Sequence, residues 1–96
     1  MAYKPKIVLQ APLKEEALLP AFVETCLGDG VELIAVVGEG CEAIHDHIDD
    51  LIVGDGSDGN RFIITTWHPD ELLEEVLEFA DIFGNNIADG VELVGF

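Results

Sequence analysis

Three groups of side chains in this sequence have types and spacing that could do chemistry. The first is Trp67-His68-Pro69, where the β-branched run Phe62-Ile-Ile-Thr-Thr66 gives way to the amphipathic start Asp70-Glu-Leu-Leu-Glu-Glu75. With Pro69 at the first helical position the N-cap falls to His68, where Ser, Thr, Asp or Asn would stabilise by about 1 kcal/mol. A poor cap suggests another use, and an imidazole suits general acid or base work near neutral pH. The chain's single tryptophan stands beside it. The bland alternative is that Trp67 roofs the edge of the core and His68 caps through a ring nitrogen.

The second group is Cys41, His45 and His47 with Asp46, Asp49 and Asp50. Cys41 and His45 are one helical turn apart and could chelate, but His45 and His47 point about 160° apart on a helix. No C-x-x-C or second ligand cluster completes a site, so no metal is expected. The third is Gly38-Glu-Gly-Cys-Glu-Ala43, which fits G-x-G-x-x-[GA] between a strand and a helix, the context of pyrophosphate binding. Glu39 and Glu42 would stand where two phosphates must bind, so the glycines read as a tight turn and no cofactor is expected. The loop Asp55-Gly-Ser-Asp-Gly-Asn60 has oxygen ligands for calcium but lacks the closing glutamate of an EF-hand, and reads as a solvated turn.

The elements that must position these residues are legible in the hydrophobic pattern. Lys6 to Ala11, Val31 to Val37, about Phe62 to Thr66, and Val91 to Phe96 are short runs rich in β-formers, the first two apolar on both faces as in strands covered by helices. Between them lie helical patterns. Leu18, Leu19, Phe22, Val23, Cys26 and Leu27 form one stripe, Cys41, Ile44, Ile48, Leu51 and Ile52 a second, and Leu72, Leu73, Val76, Ala80 and Phe83 a third. Pro20 places the first helix start near Leu19, and Gly28 and Gly30 stop it. Asp29-Gly-Val-Glu-Leu33 recurs as Asp89-Gly-Val-Glu-Leu93; a shared local need, glycine to turn and then β-formers, explains the match.

The order β-α-β-α-β-α-β predicts one small three-layer α/β/α sandwich with a mainly parallel four-stranded sheet and right-handed crossovers. Strand order 2-1-3-4, as in flavodoxin-like sheets, is favoured over 3-2-1-4, as in half of a dinucleotide-binding fold. In the favoured order the switch lies between strands one and three, and Gln10, Pro12, Lys14, Thr66, Trp67 and His68 line the crevice, with Glu39 and Cys41 nearby. Lys4, Lys6 and Arg61, which precede strands, are expected at the opposite edge of the sheet.

Charge bounds the partners. Twenty Asp and Glu against four Lys and Arg give −16, while 49% apolar residues exclude disorder by composition. Such a field repels phosphate backbones and anionic lipid, so neither nucleic acid nor membrane is expected, and a basic protein or a small ligand fits better. With no leader or long apolar run and only two cysteines, the cytoplasm is the expected compartment. The expected function is a non-enzymatic binding module with its ligand at the carboxyl edge of the sheet. The alternatives are a small enzyme using His68, helped by Thr66 and Gln10 or by Cys41, and an acidic, salt-adapted structural protein. The short apolar C-terminal strand, without lysine or proline to protect it, further predicts a homodimer through that edge.

Overall fold

The computed structural model describes residues 3–54, 56, 59, 61–83 and 90–96. It contains strands β1 (Lys6–Gln10), β2 (Leu33–Val37), β3 (Ile64–His68) and β4 (Val91–Val94), with helices α1 (Leu19–Asp29), α2 (Cys41–Val53) and α3 (Leu73–Asp81) between them in turn. All neighbouring strands pair in parallel. A single 3-10 turn, Glu16–Leu18, leads into α1, which takes Pro20 in its first turn where the missing N–H costs nothing. Gly30 ends α1 at φ 77°, and Gly90 before β4 has φ 80°, so both copies of the Gly-Val-Glu-Leu segment begin on a left-handed glycine.

The α/β sandwich stands, but the strand order is β3-β2-β1-β4 and not the favoured 2-1-3-4. Burial gives the reason. β2 is Leu-Ile-Ala-Val-Val, buried along its whole length, and β1 is buried over its first four residues. Strands apolar on both faces belong in the middle of a sheet. β3, with Thr65, Thr66 and His68, is partly exposed and takes one edge, while β4 takes the other.

Two cores flank the sheet. On one face α1 and α2 bury Ile7, Leu9, Ile34 and Val36 with Phe22, Val23, Cys26, Ile44 and Ile48. On the other, among the described helices, α3 covers Val8, Leu33, Ala35 and Val37 through Val76 and Ala80. The chain moves from β1 to β3 over one face and returns to β4 over the other, so direction and face reverse together and the three crossovers keep one hand.

The basic residues lie where the parallel topology requires. Lys6 and Arg61 sit at the amino ends of β1 and β3 and the Lys4 side chain lies against Gly90, all at the edge opposite His68. Lys6 is buried on the α3 face, and its Nζ donates to the Asp81 carbonyl at the end of α3, 2.8 Å away. Arg61 donates to the carbonyls of Leu51 and Ile52 at the end of α2, each at 2.9 Å, and forms a two-pronged pair with Glu24 of α1.

Two local expectations are corrected. His68 is the last residue of β3 and not a helix cap, because α3 starts only at Leu73, where the Glu75 carboxylate reaches back to accept from the Leu72 N–H at 2.9 Å. Leu72 is consequently exposed and lies outside the apolar stripe of α3. The expected end of α3 at Gly84-Asn-Asn86, and four positions of the Asp55 to Asn60 loop, lie outside the described residues.

Candidate functional site

Because β1 and β2 are central, the topological switch falls between β1 and β4 and not between β1 and β3. At the carboxyl ends of β1 and β4 an open cleft of about 420 Å³ is lined by Gln10, Ala11, Pro12, Lys14, Gly95 and Phe96. Small-molecule sites typically span about 300–1,000 Å³, so the volume suits a small ligand. The Lys14 N–H donates to the Phe96 carbonyl at 2.6 Å, and the Ala11 N–H to the Val37 carbonyl at 2.7 Å, fixing the loop after β1 against its neighbours. Gly38 at φ 107° completes the support: a β-carbon there would run into the Ala11 carbonyl oxygen. Phe96 packs on Phe22 with ring centroids 5.2 Å apart, and a second cleft of about 400 Å³, edged by Tyr3, Leu18, Phe22 and Val94, continues from the first through Gly95 and Phe96.

The six site residues expected from sequence therefore separate. Gln10 and Lys14 are in the cleft, both exposed. Thr66, Trp67 and His68 belong to β3, with β2 between that strand and β1. Cys41 is buried in the core beneath α1 and α2 and lines neither cleft.

The β3 residues are organised around two buried imidazoles, one on each face. On the α3 face, His68 Nε2 lies 2.9 Å from Thr66 Oγ1 and Nδ1 lies 2.8 Å from a Glu71 carboxylate oxygen, with the ring against Phe79 at a centroid distance of 4.9 Å. A carboxylate only accepts, so Nδ1 donates to Glu71, and in the neutral ring Nε2 is left to accept from the Thr66 hydroxyl. That is the hydroxyl–imidazole–carboxylate order of an activated nucleophile. His68 is only 7% exposed, however, and its ring is covered by Phe79. Glu71 precedes α3, and its position three residues after His68 is the signal in the sequence for this pair.

On the other face the ring of His45 of α2 packs against Trp67, tilted by 46° with centroids 4.5 Å apart, with Nδ1 3.1 Å from Asp46 and Nε2 3.4 Å from Asp49. Asp49 also accepts from the Thr65 hydroxyl, tying α2 to β3. No spacing in the sequence signals the contact between His45 and Trp67, which lie on different elements. His47 is exposed and Cys41 is in the core, so the metal-like spacing does not converge. Among the described residues no group of three or more His, Cys, Asp or Glu side chains is placed to hold a metal ion. Glu39 and Glu42 are exposed beside the Gly38-x-Gly40 turn. Among the described residues no helix is long and apolar enough to cross a membrane.

Comparison with known families places the fold within one of them. Residues 4–93 match a family model described as a domain of unknown function, DUF7684. The chain belongs to that family. No curated protein and no solved structure matches it.

Proposed function

We propose that this DUF7684 chain is a non-enzymatic binding module whose cleft between β1 and β4 takes a small organic carboxylate with an apolar body. The observation that carries the reading is the coincidence of that cleft with the topological switch of the sheet, where open parallel sheets bind their ligands. Its lining divides into two kinds of surface. Pro12 and Phe96 are apolar, while the exposed Gln10 and Lys14 carry an amide and an ammonium able to donate. Among the described residues no carboxylate pairs with Lys14, whereas Lys6 and Arg61 are engaged on helix carbonyls. The net charge of −16 opposes an anion, but that field is screened over about 8 Å at physiological salt while the Lys14 contact acts at close range.

The test is a titration of the ¹⁵N-labelled protein with benzoate and phenylacetate, each beside its uncharged amide. Shifts confined to residues 10–14 and 95–96, weaker with the amides and lost in Lys14→Gln, are the expected result. Shifts elsewhere, or equal binding by Lys14→Gln, would refute it. One observation favours a second reading, a small enzyme: the Thr66–His68–Glu71 line has the connectivity of a general-base site. Its test is reaction with an activated ester such as p-nitrophenyl acetate, with a rate that His68→Gln removes; an unchanged rate in that variant excludes it.

A further inference from the structure

Among the described residues, three of the eight exposed large apolar side chains of this acidic molecule lie along one edge of the sheet. Phe62 is 71% exposed, Ile64 39% and Trp67 44%, all on β3 or the residues leading into it. The edge at β4 carries Leu93 alone among its exposed large apolar residues. Among the described strands β3 bonds only to β2, so its outer main-chain N–H and C=O groups are open to another strand. Proteins usually protect such an edge with a lysine, a proline or a covering segment. β3 has neither residue within it, and the nearest cation, Arg61, is folded back onto α2 and Glu24. Alternation puts Ile64 and Phe62 on the α3 side and Trp67 on the α2 side, so both faces of the edge are apolar.

The rim of this apolar strip is acidic. Asp46 and Asp49 flank Trp67 through His45, and Glu71 lies on His68 at the carboxyl end. A second copy of a chain carrying −16 would bring the same carboxylates against them. A basic segment would not.

We propose that the outer edge of β3 docks an extended segment of a protein partner in which apolar and basic side chains alternate. The segment adds a fifth strand through its main chain, covers Phe62 and Ile64 on the α3 side with its apolar side chains, and on the α2 side lays lysine or arginine over Trp67 to meet Asp46 and Asp49. This edge is separate from the cleft between β1 and β4, and neither reading depends on the other.

A synthetic peptide alternating lysine and valine over nine residues, and its glutamate counterpart, serve as probes at about 0.15 M salt. The lysine peptide should shift the amides of residues 62–68 and the glutamate peptide should not bind. Ile64→Lys should weaken binding about tenfold or more, as loss of a central anchor does, and Leu93→Lys, which changes the charge equally on the other edge, should leave it unaltered. Should Ile64→Lys fail to fold, Trp67→Lys at a more exposed position gives the same comparison. Shifts spread along α2 and α3 with β3 unmoved, equal weakening by Leu93→Lys, or no binding of the lysine peptide would overturn the proposal. So would a dimer of the free protein that Ile64→Lys dissociates, which would assign the edge to a second copy.

Discussion

Lys6 and Arg61 perform one task at two helix ends. The last carbonyls of a helix lack partners within it and carry the negative end of its dipole, so a cation bonded to them satisfies both bonding and charge. Lys6 does this for α3 and Arg61 for α2, with Glu24 holding the guanidinium from α1. That pairing, chiefly the hydrogen bonds from Arg61, holds the Glu24 carboxyl below the usual carboxylate range. Hydrogen bonds involving a charged group contribute about 1.5–3 kcal/mol. Arg61→Met should therefore lower the urea-unfolding free energy by about 2–3 kcal/mol, whereas a change within a few tenths would show that the carbonyls are as well served by water. Cys26 makes a second residue-scale prediction. Burial, with Asp29 and Glu92 adding, pushes its thiol from 9.0 to about 12. The folded protein thus holds this proton more tightly than the unfolded chain, so the stability is full below about pH 9 and falls as the pH rises toward 12. Unfolding measured at about pH 8 and about pH 10.5 should show that fall, and Cys26→Ala should reduce it. Part will remain, because burial also raises the Tyr3 phenol. An identical slope in Cys26→Ala would contradict the assignment.

At the scale of elements, Gly38 marks where β2, the loop after β1 and the start of α2 come closest. Its positive φ and the Ala11 carbonyl against its α-carbon leave no room for a side chain. Gly38→Ala should cost roughly 2–3 kcal/mol in denaturant and disturb the cleft beside Ala11, while Gly28→Ala, with open space around it, should cost little. The glycine turn was legible because it stands between an apolar run and an amphipathic helix. The four strands and three helices among the described residues, and their order, were legible for the same reason, since periodicity survives without tertiary context. Strand order is readable too, because Leu33 to Val37 is continuously apolar and belongs in the centre, while Thr65, Thr66 and His68 mark an edge. The order β3-β2-β1-β4 divides the expected crevice, leaving Gln10 and Lys14 in one site and Thr66, Trp67 and His68 two strands away. The start of α3 was misread because Pro69 suits a first helical position, yet Glu75 reaching back to Leu72 set the boundary four residues later. The partners of the two imidazoles were not accessible to pattern alone, since they depend on which side chains adjoining elements bring together.

At the scale of the whole molecule, the charge of −16 is self-repulsion that folding must overcome. The melting temperature should rise by several degrees from about 0.02 to about 1 M sodium chloride as that repulsion is screened. A flat response would show that the carboxylates are already spaced beyond effective interaction, and would count against a salt-adapted role. The cleft is independent of this field in its apolar part and opposed by it at Lys14, so the ligand and the salt response can be separated. The most direct measurement of the binding role is the chemical-shift titration of the ¹⁵N-labelled protein with phenylacetate at constant ionic strength, in the wild type and in Lys14→Gln. Saturable shifts at Gln10, Ala11, Lys14, Gly95 and Phe96 that vanish in the variant are the expected result; shifts that centre on His68 and Thr66, or that persist in Lys14→Gln, would contradict it.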